Sequence, residues 1–160
     1  MKGNVAGLLD RLMDPRYQAS GGVLPRMSVE QLKDSVARDL EALLNTRLAL
    51  PADTFIDYPQ AKKSVLNYGL ADFAGYCLSS SDDRAAICSS LVAAVVAHEP
   101  RLSAVTAELD AEPGSVNRLN FVINGTLMLD SGDEPVNFNA VLPSSSLHYA
   151  ITRGARSTRA

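Results

Sequence analysis

Tryptophan is absent from this sequence, aromatic residues make up only 6% of it, and cysteine and histidine occur twice each. Each scarcity excludes something. Cys77 and Cys88 lack C-x-x-C spacing and no Cys/His cluster surrounds them. The expectation is therefore small buried thiols in a reducing compartment rather than a disulfide or a zinc site. His98 and His148 are too isolated to suggest metal ligation, and no metal or cofactor is expected. No apolar run approaches the roughly 20 residues of a membrane-spanning helix, so direct membrane insertion is not expected. The opening "MKGNVAGLLDRLMDPR" carries Asp10 and Arg11 where a cleaved signal needs an unbroken apolar stretch, so export through a cleaved signal is not expected. A basic excess is missing too: the net charge is −3, which argues against a nucleic-acid partner. The nearest basic feature is the tail "TRGARSTRA" with Arg153, Arg156 and Arg159, read as a flexible end over residues 152–160.

What is present suits one ordinary domain: 160 residues, 46% hydrophobic and 21% charged. Val5, Leu8, Leu9 and Leu12 share one helical face, and Pro15 with the "SGG" at 20–22 makes a loose linker. Residues 1–25 therefore read as a separable N-terminal helical arm and linker, with the folded core starting near Ser28. Ser28 and Gln31 form a capping-box pattern. Leu32, Val36, Leu40, Leu43 and Leu44 then recur at helical spacing, predicting a helix over about Val29–Thr46. Glu30, Lys33, Asp34, Arg38 and Asp39 lie mostly on its watery face. Residues 47–63 have no sustained period. "SVLNYGLADFAGY" is interrupted by Gly69, predicting a short helix or turn at each side. After "SSSDDR", Asp82 or Asp83 can cap a helix whose apolar side is Ile87, Leu91, Val92, Val95 and Val96, expected to be the most buried helix.

Beyond Pro100 the period becomes alternating. "RLSAVTAEL", "RLNFVINGTLML" and "PVNFNAVL" read as sequential antiparallel strands, and "LHYAIT" as a short fourth. Helices first and strands later predict an α+β domain over residues 26–151, with two main helices packed on a small, mostly antiparallel sheet.

The seam "VVAHEPRLSAV" carries Glu99, Pro100 and Arg101 between two apolar segments. Proline biases the preceding residue away from helical geometry, so a plain helix stop with a surface ion pair is one reading. A catalytic carboxylate is another: Glu99 with Asp57 or Asp72 fits, in principle, a glycan hydrolase. Against it, a carboxylate two residues from an arginine tends toward a lowered pKa, the reverse of a general acid. Nor is there a G-x-S-x-G, H-E-x-x-H, P-loop or G-x-G-x-x-G motif, and Ser144, Ser145 and Ser146 near His148 lack a nucleophile elbow. The expectation is a protein that is not an enzyme. A third reading is a docking point for another chain.

Three motifs agree in order and spacing with a known family: "SVLNYGLADF" at 64–73, "HEPRL" at 98–102 and "LNFVINGTL" at 119–127. With "LLDRL" at 8–12, they resemble the TssE baseplate subunits of type VI secretion systems, within the wider phage baseplate-wedge family historically labelled lysozyme-like. The resemblance covers roughly residues 8–150; one departure is Ala71, where many relatives have proline. It implies a structural component of the wedge of a contractile injection machine. Such a component contacts other wedge subunits and the contractile sheath, helps start sheath polymerisation, and works at a cytoplasmic baseplate docked on the inner membrane. It also implies that sheath strands add to an open sheet edge. On this reading Glu99, Pro100 and Arg101 form a rigid corner that locks a neighbouring chain in register and matters for assembly more than for folding. In "LNYGL" either Gly69 simply permits a turn while Tyr68 and Leu70 fill core space, or Asn67 and Tyr68 lie on a partner surface. A free-standing adaptor using the same strand edge remains the other non-enzymatic reading.

Overall fold

The computed structural model describes residues 6–13, 26–73, 75–110, 120–142 and 148–154. A short helix α1, Leu8–Met13, precedes α2, Val29–Leu44. Three single 3-10 turns follow at Ala52–Phe55, Ala61–Lys63 and Val65–Asn67, and then α3, Ser81–His98. Strands β1 (Leu102–Asp110), β2 (Asn120–Leu127), β3 (Glu134–Val141) and β4 (Ala150–Arg153) form one antiparallel sheet in that spatial order. The class is α+β, with both long helices on one face of the sheet. The "SGG" linker, the turn after β1, Leu119, Ser144–Ser146 and residues 155–160 of the basic tail lie outside the described residues.

α2 begins as its capping box dictates. Ser28 Oγ accepts the Gln31 amide (3.2 Å), and the Gln31 side chain accepts the Ser28 amide (2.9 Å). Its buried stripe is Leu32, Ser35, Val36, Leu40, Leu43 and Leu44, so one polar residue sits among five apolar ones. The helix ends at Leu44, two residues short of the expected end, with Asn45 as its C-cap and the Asn45 side chain bonded to the Tyr149 backbone. The cap of α3 is neither Asp82 nor Asp83 but Ser80, whose hydroxyl accepts the Asp83 amide (3.2 Å). Both acids sit instead in the first turn, where their charge complements the helix dipole. α3 is also not the more buried helix. It buries Ile87, Leu91 and Val95 along β1 and leaves Val96 exposed, whereas α2 lies against β3 and β4 and buries twice as many residues.

Inward residues alternate along the strands as a two-residue period requires: Phe121, Ile123 and Leu127 on β2 face the helices with Phe138 and Ala140 on β3. Each large apolar side chain fully buried here contributes about 1.5–3 kcal/mol. On the opposite face Asn124 and Asn137 are directly paired, with Asn137 Nδ2 donating to Asn124 Oδ1 at 2.5 Å.

The two sheet edges differ. Asn45 Oδ1 accepts the Tyr149 amide (2.7 Å), Asn45 Nδ2 donates to the Tyr149 carbonyl (2.9 Å), and Glu41 accepts the Ile151 amide (3.0 Å). These backbone groups point away from β3, so α2 side chains close the β4 edge. β1 carries a bulge between Ser103 and Thr106, with Ala104 at φ +49°, and pairs with β2 on one side only.

The thiols are both free. Cys88 is half-buried, but Cys77 is exposed, contrary to the expectation of burial, because it precedes α3 in a polar turn.

Candidate functional site

α3 stops at His98, and the chain turns through Glu99, Pro100 and Arg101 into β1. Glu99 leaves helical geometry at φ −121°, as proline after it requires, while its amide still donates to the Val95 carbonyl (2.8 Å). Pro100 is exposed. The helix-stop reading is thus correct for the backbone, but the side chains do more.

Glu99 is only 3% exposed, and Arg101 clasps both of its carboxylate oxygens: Nε donates to Oε1 at 2.6 Å and Nη2 to Oε2 at 2.5 Å. The same Nη2 donates to Asp39 Oδ2 at 2.5 Å, and Nη1 donates to Ser35 Oγ at 2.9 Å. Ser35, the polar residue in the buried stripe of α2, must direct its own proton elsewhere, since a guanidinium cannot accept. It donates to Asp10 Oδ2 of α1 at 2.6 Å, an oxygen that also accepts the Gly7 amide at 2.9 Å. Arg38 completes the group by pairing with Asp10 Oδ1 and lying 3.5 Å from Asp39 Oδ1. That last oxygen is buried and makes no hydrogen bond; at 3.5 Å the contact with Arg38 is an ion pair too long and poorly aligned to be one.

The charges adjust accordingly. Burial opposes ionisation of Asp10, but the hydrogen bonds from Arg38, Ser35 and Gly7 together outweigh it and hold the carboxyl below its ordinary value. Burial likewise pulls the Arg101 guanidinium down, and Glu99 and Asp39 overcome this and raise it. Removing one member of such a buried pair typically costs about 3–5 kcal/mol, because the other charge is left uncompensated.

The "NYG" segment reaches the same corner. His98 Nε2 lies 2.9 Å from the Asn67 carbonyl, which can only accept, so that nitrogen carries the proton. The Tyr68 ring meets the His98 ring edge-on at 5.2 Å and packs on the core. Burial raises the Tyr68 pKa, with the negative charges of Asp39 and Glu99 adding to it. Gly69 then allows a close approach: at φ +125° a Cβ would stand 2.6 Å from the Thr46 carbonyl oxygen, which accepts the Leu70 amide at 2.8 Å. Two motifs thirty residues apart in sequence therefore share one cluster.

Glu99, Arg101, Asn67 and Tyr68 come together as a group, with Pro100 at its rim. The pair is not the exposed one expected at a corner, because α2 supplies partners from below. Arg38 and Asp39, read from periodicity as solvent-facing, turn toward the cluster. Asp57 and Asp72 are exposed, and the Glu99 carboxylate is committed to Arg101, so the arrangement does not present a carboxylate to a glycan. Sequence reasoning missed Ser35, Asp39, Asp10, Arg38 and His98 as members. Ser35 had a signal, a polar residue inside an apolar stripe, and Asp10 and His98 lay within the motifs "LLDRL" and "HEPRL"; Arg38 and Asp39 had none. Among the described residues no group of three or more His, Cys, Asp or Glu is placed to hold a metal ion, and no helix is long and apolar enough to cross a membrane.

The family described as baseplate wedge protein gp25 matches residues 30–131, which takes in all but the first residue of α2, the "NYG" turn, α3, Glu99 to Arg101 and the first two strands, with Asp10 outside it. No curated protein matches the chain.

Proposed function

We propose the following role from the premise that the chain belongs to the baseplate wedge protein gp25 family. Membership makes it a structural baseplate component that assembles with other baseplate subunits. In our reading the baseplate is that of a type VI secretion system, on the cytoplasmic side of the inner membrane, and the chain links the other wedge subunits to the contractile sheath and helps begin sheath polymerisation. Residues 26–151 are the wedge domain, 1–25 an arm and 152–160 a basic tail. The observation that carries this reading is the convergence of the "NYG" and "HEPR" segments on one charged cluster, which the needs of a helix stop do not require. Glu99, Pro100, Arg101, Asn67 and Tyr68 are the proposed contact residues. Pro100 and the partly exposed edge of Arg101 (19%) present them to a neighbour, and the guanidinium's planar geometry fixes orientation.

The closed β4 edge supports a division of labour. A sheath strand adding to the sheet finds the outward groups of Tyr149 and Ile151 already bonded to α2, and we assign strand addition to the β1 edge instead. The experiment is a native pull-down with mass spectrometry. Wedge and sheath subunits are the expected company. Recovery of wedge subunits with no sheath protein, even from cells assembling sheaths, would remove the sheath role and leave the baseplate role standing.

A further inference from the structure

The large apolar side chains that the domain leaves in water gather on the 3-10 turns between α2 and α3. Ile56 (76% exposed), Tyr58 (67%), Val65 (80%) and Leu66 (55%) all lie within residues 56–66. Their backbone is fixed. The Tyr58 carbonyl accepts the Ala61 amide (2.9 Å), the Ala61 carbonyl accepts the Ser64 amide (3.0 Å) and hydroxyl (2.6 Å), and the Ser64 carbonyl accepts the Asn67 amide (3.1 Å). Both ends are tied to the domain. Phe55 is buried just before Ile56; just after Leu66 the Asn67 carbonyl meets His98 Nε2, and Gly69 passes against Thr46. Apolar side chains held outward on a preformed backbone ask little ordering of a partner, and their clustering marks a contact surface.

The charges on this platform run in a fixed order. Asp53 and Asp57 lie on either side of Ile56, and Lys62 and Lys63 precede Val65. All four are exposed, and among the described residues none of them is ion-paired. A uniformly anionic lipid surface matches the lysines and repels the aspartates, whereas a protein segment can match both. Four apolar side chains are also far fewer than the roughly 20–30 residues a side of a stand-alone interface, so the platform suits one contact within a larger assembly better than a dimer of this chain. We propose that residues 56–66 form a docking surface separate from the Glu99–Arg101 corner. It receives a segment of a neighbouring baseplate subunit that lays apolar side chains on Ile56, Tyr58, Val65 and Leu66 and sets carboxylates against Lys62 and Lys63. The baseplate partner follows from family membership and depends on neither the corner nor the sheath role.

The test measures binding of the full chain to a purified wedge subcomplex assembled without it, at low and high salt. The variants are Ile56→Ser with Val65→Ser, and Lys62→Glu with Lys63→Glu. All four positions are exposed, so both variants should melt with wild type. The serine pair should weaken binding about tenfold or more. Lysine reversal should weaken it at low salt and abolish the salt dependence seen with wild type. If the serine pair binds as wild type, the platform is not an interface. If lysine reversal changes neither affinity nor salt dependence, the partner sets no carboxylates there and the proposed chemistry is overturned. A wild-type chain that does not bind the subcomplex removes the baseplate partner. Sedimentation of the chain alone and flotation with phosphatidylcholine–phosphatidylglycerol vesicles check the other occupants. Self-association abolished by the serine pair would put a second copy on the platform, and vesicle binding abolished by either pair would put lipid there; each outcome overturns the proposal.

Discussion

Arg101 has a structural duty apart from any contact proposed for it. Its guanidinium joins the end of α3 to α2 through Glu99, Asp39 and Ser35, so its removal strands a buried carboxylate. Arg101→Ala is expected to cost about 3–5 kcal/mol of folding stability. Leu91→Ala, which removes core volume from α3, is expected to cost about 2–5 kcal/mol. Denaturant unfolding of the two should give comparable midpoints; a wild-type midpoint for Arg101→Ala would mean the cluster contributes no stability to the isolated chain. Acid should act at Asp10. Its folded pKa lies below the ordinary 3.8, so its contribution is fully present above that value and is lost as pH falls through the depressed one. The groups facing it are Ser35, Arg38 and the Gly7 amide, with Arg101 and Asp39 beyond. Protection of the Gly7 amide should fall in strong acid, and in Asp10→Asn this acid-dependent step should vanish.

At the scale of elements, the closed edge at β4 is the feature most open to mutation. Asn45 imitates a strand, donating to the carbonyl and accepting from the amide of Tyr149. Asn45→Ala leaves both groups without their partner and is expected to cost about 1–3 kcal/mol. Amide exchange at Tyr149 should accelerate far more than exchange in β2, and concentration-dependent self-association through the exposed edge should appear in sedimentation. An edge that stays protected after the substitution would show that Glu41 alone is enough to close it. β1 lies at the opposite edge, where its bulge adds local twist.

For the whole molecule, the proposed role uses two surfaces: the charged corner where α1, α2 and α3 meet, and the β1 edge of the sheet. At the corner the Glu99 carboxylate is clasped by Arg101 and is not open toward a sugar. Purified protein should therefore leave peptidoglycan suspensions turbid, and Glu99→Gln should behave the same. Clearing by wild type that is lost in Glu99→Gln would restore the hydrolase reading.

The sequence by itself determined whatever depends on neighbours along the chain. The Ser28–Gln31 box starts α2, proline at 100 ends α3, and two-residue alternation sets the strands and their inward faces; each is a local steric or hydrogen-bonding rule. The "NYG" and "HEPR" motifs were legible too, as a resemblance. Tertiary structure decided what those motifs touch. Asp39 and Arg38 sit off the apolar stripe of α2 and read as solvated until Arg101 and Asp10 arrive from elements far away in sequence. Asn45 reads as a helix end until Tyr149 is laid beside it. Ser80 takes the cap from two better-placed acids because its hydroxyl meets the Asp83 amide while the Asp83 carboxylate turns back to the Cys77 amide. Periodicity reports which way a side chain points, but a buried charge is stabilised by the partner it meets, and that partner is chosen only when separate elements pack.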